Sequence, residues 1–165
     1  MFFIHLLNAT NGFSSANGCI GELPTDLTFL SNCEFLNLNW NVIFGPFTTR
    51  HIQSLTNLRI LQLSGNGLTG CLDGQSFKRL TNLVILDLSF NAFFGDFPDI
   101  FQTCCQIEKL SIQGNQFTGM VPVSLQYCTH LTELRMFQNQ FEGELLNDVF
   151  APLKLLKIVN LSHNK

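Results

Sequence analysis

Residues 83–98 read LVILDLSFNAFFGDFP, and residues 107–122 read IEKLSIQGNQFTGMVP. Laid over each other without a gap, they set Leu83, Leu86, Leu88, Asn91, Phe93, Gly95, Phe97 and Pro98 on Ile107, Leu110, Ile112, Asn115, Phe117, Gly119, Val121 and Pro122. Residues 58–72 and 131–145 fit the same frame up to the proline. The asparagine recurs at 17, 41, 66, 91, 115, 139 and 164, always 24 or 25 residues apart. A fixed period of this size marks a stacked-repeat solenoid, in which each coil buries its apolar face only against its neighbours.

Six coils can be aligned on Asn41, Asn66, Asn91, Asn115, Asn139 and Asn164. Three residues before them stand Leu38, Leu63, Leu88, Ile112, Met136 and Leu161, and five before stand Leu36, Leu61, Leu86, Leu110, Leu134 and Val159. The columns 8, 11 and 14 before these asparagines are apolar as well, and so are those 2 and 6 after Asn17, Asn41, Asn66, Asn91, Asn115 and Asn139. Gly21, Gly45, Gly70, Gly95, Gly119 and Gly143 fill the slot four after the same residues. That column calls for positive φ or for close packing between coils.

Within each L-x-L the period is two, the mark of a short half-buried strand. One strand per coil predicts a parallel sheet along one side, its leucines inward and its intervening residues outward. The asparagine follows where the strand turns away. Its amide can pair turn backbone groups that burial would otherwise orphan, and stacked copies can form a ladder. Pro24, Pro98 and Pro122 suit an extended segment entering a turn. Residues 76–80 and 124–128 read as short helical turns.

The motif L-x-x-L-x-L-x-x-N-x-L-x-G-x-I-P resembles the leucine-rich repeat family, most closely its plant-type, receptor-like subclass. The resemblance implies an α/β solenoid: a right-handed superhelix with a parallel sheet on the concave side and short helical or extended segments on the convex side. Thr48, Asp73 and Leu146 depart from the pattern where proline is expected, which predicts a looser second edge in those coils. Residues 1–16 miss the columns and read as a degenerate N-terminal segment. Residues 17–165 read as an array of about six coils, truncated at the C-terminus.

The resemblance further implies a non-catalytic binding module, part of a receptor-like protein that recognises a peptide, glycan or protein on its concave face. The alternatives are a secreted inhibitor of cell-wall-degrading enzymes and an intracellular interaction scaffold. The expected location is an extracellular or cell-surface ectodomain, with a cytoplasmic location as the alternative. No cofactor is implied.

Composition agrees with a binding role. The net charge of −3 provides no basic face for nucleic acid. No run of about 18 apolar residues is present to span a membrane. His5, His51, His130 and His163 fall in different columns, and neither a nucleophile motif nor a metal motif occurs. Cys19, Cys33, Cys104 and Cys128 occupy leucine slots, where thiols behave as small hydrophobes. Cys104 and Cys128 share a column in adjacent coils, which leaves a bridge between them open.

Function is therefore sought on the outward strand positions. Phe35, Ile60 and Ile85 form an apolar strip six before the asparagine, and Asn37, Gln62 and Asp87 stand beside it as hydrogen-bonding groups. Trp40 and Phe90 sit one before the asparagine, and Arg135 with Phe137 makes a second cluster further along. These ten are the candidate ligand-binding residues. Asn8 and Asn160 head N-x-S/T sequons and are candidate glycosylation sites.

Overall fold

The computed structural model describes residues 11–13, 18–25, 27–101 and 105–165. Its first sheet takes one three-residue strand from each coil: β1 (Asn11–Phe13), β3 (Phe35–Asn37), β5 (Ile60–Gln62), β7 (Ile85–Asp87), β9 (Lys109–Ser111), β11 (Glu133–Arg135) and β12 (Ile158–Asn160). They pair in that order, all parallel. In β3, β5, β7 and β11 the central leucine is buried and its two neighbours are half-buried, as the period of two requires. β1 pairs Asn11 with Phe35, so the first sheet includes residues 11–13, ahead of residue 17. Residues 1–10 and 14–17, with Asn8 and Asn17, lie outside the described residues.

A second parallel sheet, which the sequence reading lacked, runs beside the first. It consists of β2 (Ile20–Glu22), β4 (Val42–Pro46), β6 (Gly67–Cys71), β8 (Ala92–Asp96) and β10 (Gln116–Thr118). The glycine column lies in or beside these segments, and all six of its residues have positive φ. The coils with Thr48 and Asp73 carry the five-residue strands β4 and β6, so the missing proline does not loosen them. In the coil with Leu146 no strand forms, although the Gln140 and Glu142 N–H groups still donate to the Phe117 and Gly119 carbonyls. The remaining side of the coil holds α1 (Gly74–Phe77), α2 (Asn147–Phe150) and 3-10 turns, including Val123–Tyr127.

The apolar columns meet in one continuous core. Phe93, Phe117 and Phe141 stack along it at centroid distances of 6.1 and 6.3 Å. Val159 and Leu145 also occupy core columns, yet they are exposed because no further described segment packs over them. The asparagines form the expected ladder through backbone groups. Asn91 Oδ1 accepts from Leu68 N–H at 3.1 Å, and its Nδ2 donates to Leu63 and Leu88 carbonyls at 2.9 and 3.1 Å. Asn66, Asn115, Asn139 and Asn164 repeat the arrangement. Each asparagine thus closes its own turn and pins it to the coil before.

A disulfide joins Cys105 to Cys128, with Cα atoms 4.7 Å apart. The sequence reading had assigned the core slot to Cys104, which lies outside the described residues. Cys105, the next residue, is the buried partner.

Candidate functional site

The outward positions of the first sheet fall in strict register. Phe35 stands opposite Ile60, and Ile60 opposite Ile85. All three are half-buried, so the strip is continuous but low. The neighbouring row of Asn37, Gln62 and Asp87 is partly committed to its own turns. Asn37 Oδ1 accepts from Asn39 N–H at 3.0 Å. Asp87 Oδ1 accepts from the Ser89 N–H at 3.0 Å and the Ser89 hydroxyl at 2.6 Å, and the Ser89 and Ser64 hydroxyls lie 2.8 Å apart. Such pre-bonded groups hold fixed orientations, which lowers the entropy cost of receiving a ligand.

Further along, the face carries charge. Glu133 Oε1 lies 2.8 Å from Arg135 Nη2, and Glu133 Oε2 lies 3.9 Å from Lys109 Nζ. Arg135 is thus held by its own strand neighbour rather than by Phe137. Asn160 lies half-buried on β12, and its Oδ1 accepts from Ser162 N–H and hydroxyl at 3.1 and 2.8 Å.

Past the strands, the residue just before each ladder asparagine is left-handed in all six coils. Reading along the array these are Trp40, Gly65, Phe90, Gly114, Gln138 and His163, with φ between 52° and 66°. Glycine adopts this conformation freely; tryptophan and phenylalanine rarely do. Both aromatics are nonetheless exposed, 61% and 41%. Their rings lie 6.1 Å apart at 28°. Phe137 meets Phe90 edge-on at 6.4 Å and 72°, so it joins the Trp40–Phe90 row rather than a separate cluster with Arg135.

Two glycines make the row possible. A Cβ on Gly65 would stand 2.4 Å from Trp40 Cε3, and one on Gly114 would stand 2.6 Å from Phe90 Cδ1. Each ring therefore rests flat on the bare backbone of the following coil. Sequence reasoning had picked out the aromatics but missed these seats, although the alternation Trp, Gly, Phe, Gly in one column was visible. It also missed Gln113, which is buried to 6% exposure on an outward position.

Among the described residues, no group of three or more His, Cys, Asp or Glu side chains is placed to hold a metal ion. None of their helices is long and apolar enough to cross a membrane. His51 is buried, its Nδ1 accepting from Thr48 N–H at 2.8 Å and its ring stacked on Phe47 at 5.4 Å. The arrangement offers groups suited to recognition: rings, fixed acceptors and an ion-paired border.

Comparison with known proteins agrees on the architecture. Residues 82–141 and 54–70 match models of the leucine-rich repeat. No curated protein matches the chain. Among solved structures, the ectodomain of the Arabidopsis thaliana membrane receptor kinase GASSHO1/SCHENGEN3, in complex with CASPARIAN STRIP INTEGRITY FACTOR 2, is 28% identical with a TM-score of 0.82, over 96% of this chain and 18% of that one. The ectodomain of the Arabidopsis receptor kinase HAESA, in complex with an IDA peptide hormone, is 29% identical with a TM-score of 0.84, over 91% of this chain and 25% of that one. Pollen Receptor Kinase 3 is 26% identical with a TM-score of 0.82, over 95% of this chain and 73% of that one. The chain spans between 18% and 24% of the length of the first three structures it resembles.

Proposed function

From the premise that this chain is a leucine-rich repeat solenoid, similar to plant receptor kinase ectodomains, we propose that it is a recognition surface for a peptide ligand outside the cell. The observation that carries this reading is the row of exposed Trp40 and Phe90 with half-buried Phe137 on the rim of the first sheet. A solenoid needs no aromatic there to fold, and contiguous exposed apolar surface marks interaction sites. Large rigid side chains beside oriented polar groups are the composition of binding hot spots. Two of the similar ectodomains were solved with peptide or factor ligands. The Cys105–Cys128 bridge supports an oxidising, extracellular setting. Asn160 is then available as a glycosylation site at the border of the face.

The test is selection of a random linear peptide display library against the immobilised chain, followed by titration of the selected peptides. Trp40→Ala and Phe90→Ala should each weaken binding by about ten-fold or more, the scale of a hot spot. Lys78→Ala, at an exposed position just past α1 on the far side of the coil, should leave it unchanged. Loss of binding in the Lys78 variant with retention in the two aromatic variants would place the partner on the other side and end this reading.

A further inference from the structure

We propose that the opposite rim of the first sheet is a second binding site, a polar groove for a neutral oligosaccharide that lies along the array. The groove shares no residue with the aromatic row. Glu34, Arg59 and Val84 stand immediately before β3, β5 and β7, whereas Trp40, Phe90 and Phe137 follow their strands. Together with Asn57, Asn82 and Gln106 they line a groove of about 450 Å³.

The floor of this groove is fixed from coil to coil. The Glu34 carbonyl accepts from the Arg59 and Ile60 N–H groups at 2.8 and 3.0 Å, and the Arg59 carbonyl accepts from those of Val84 and Ile85 at 2.8 and 3.1 Å. Its wall comes from the column nine before the ladder asparagine, which reads Asn32, Asn57, Asn82 and Gln106, then His130 and Leu155. Asn57 Nδ2 donates to Ser31 O at 3.1 Å, and Asn82 Nδ2 donates to Thr56 O at 3.2 Å. Both amides are thereby oriented, and among the described residues nothing donates to either Oδ1. The scaffold does not require an amide in this column, because β11 and β12 form in the coils that carry His130 and Leu155 there.

The repeat of the groove selects the ligand. Amides on three successive coils recur at the strand spacing, about 4.8 Å. An extended peptide presents side chains along one edge about every 6.6 Å, which runs out of step with them. A chain of pyranose rings advances by nearly one coil spacing per ring and carries hydroxyls along both edges. Hydroxyls donate and accept, as amides do, so a row of one meets a row of the other with no group left unmatched. Val84 is half-buried among the polar side chains and gives the C–H face of a ring an apolar seat.

The charges select a neutral chain. Glu34 and Arg59 supply one charge of each sign, so the groove has no net charge with which to draw in a polyanion. Arg59 is exposed and forms no ion pair among the described residues, which leaves its side-chain N–H donors for ligand oxygens.

Calorimetric titration tests this with two probes, a short chain of β-1,4-linked glucose and an equally long chain of 1,4-linked uronic acid. The glucan should saturate a single site, and the uronate chain should bind about ten-fold more weakly or not at all. Arg59→Ala should weaken the glucan by about ten-fold and Asn82→Ala by several-fold. Both side chains are exposed, so the melting temperatures should not change. Trp40→Ala and Lys78→Ala should bind the glucan normally. Absence of glucan binding, or equal binding by the parent chain, Arg59→Ala and Asn82→Ala, overturns the proposal. Tighter binding of the uronate chain makes the groove an anion site and overturns it as well. If display-selected peptides lose affinity in Arg59→Ala and Asn82→Ala, the groove belongs to the peptide surface; that reading stands and this one falls. If no peptide is selected while glucan binding still depends on Asn82 and Arg59, the peptide reading falls and this one stands.

Discussion

Asn115→Ala tests whether the asparagine ladder carries the stability of the array. Asn115 is buried, its Oδ1 accepts from Phe93 N–H at 3.0 Å, and its Nδ2 donates to Leu88 and Ile112 carbonyls at 3.0 and 3.1 Å. Alanine leaves the fully buried Phe93 N–H without an acceptor, whereas the Leu88 and Ile112 carbonyls keep the Asn91 and Asn139 amides as donors. The one stranded group costs about 1–3 kcal/mol, and the loss should be of that size. A domain of this kind holds about 5–15 kcal/mol in total, so the effect is measurable. Urea unfolding followed by far-ultraviolet circular dichroism reads it directly. The midpoint should fall by roughly 0.5–1.5 M with an unchanged slope. Asn164→Ala removes the same bonds in a coil with one neighbour and a half-buried asparagine, and should cost less. Asn115→Asp keeps the acceptor for Phe93 but sets a carboxylate against carbonyl oxygens. Its folded form then favours the proton, so this variant should gain stability as pH falls. A loss below about 0.5 kcal/mol for Asn115→Ala would mean that water replaces the side chain and the ladder is not structural.

Three further outcomes follow from the packing. Leu110→Asp buries an unpaired charge at a position 1% exposed and should cost about 4 kcal/mol or more, read as loss of the strand signal at room temperature. Reducing the Cys105–Cys128 bridge, which closes a separation of 23 residues, should remove about 3 kcal/mol by the chain-entropy account, and a melting temperature unchanged by reductant would refute it. Gly114→Ala forces a left-handed alanine and pushes its Cβ into the Phe90 ring, so it should cost about 1–2 kcal/mol in unfolding experiments, whereas Gly18→Ala, equally left-handed but with open space around it, should cost less.

The repeat frame was legible because each coil obeys one rule: columns that face the core cannot change polarity. Leu61, Leu86 and Leu110 are identical for that reason, and so are the asparagines whose amides meet fixed backbone groups. The second sheet was hidden by its own glycines. The positions two, four and six after the asparagine alternate correctly for a strand, but Gly45, Gly70 and Gly95 at the middle position depress strand propensity. The pairing of Cys105 was hidden because its neighbour Cys104 fills the column eleven before the asparagine, and columns alone do not choose between two adjacent cysteines. Trp40 and Phe90 were legible as large outward residues. Gln113 was not, because a polar residue in an outward column reads as solvated; its burial arises from the coils on either side, not from its own sequence neighbourhood.

The turn and the candidate site share one column, and this ties recognition to the repeat itself. The ladder asparagine requires its predecessor to be left-handed, whatever that residue is. Glycine at 65 and 114 meets the demand freely. Trp40 and Phe90 meet it at about 1–2 kcal/mol each, a cost that stability alone would not retain. Aromatics in every coil would collide, because each ring occupies the space above the next coil's residue. Glycine in every coil would leave no apolar surface. The alternation from residue 40 to 114 is the arrangement that satisfies both limits, with one ring per two coils lying on the backbone between. After Gly114 the column continues with Gln138 and His163, and the third ring is supplied by Phe137 from the adjacent column. The row therefore ends where its glycine seats end, next to the Glu133–Arg135 ion pair, so the surface available to an apolar ligand is bounded by the same backbone rule that builds the solenoid.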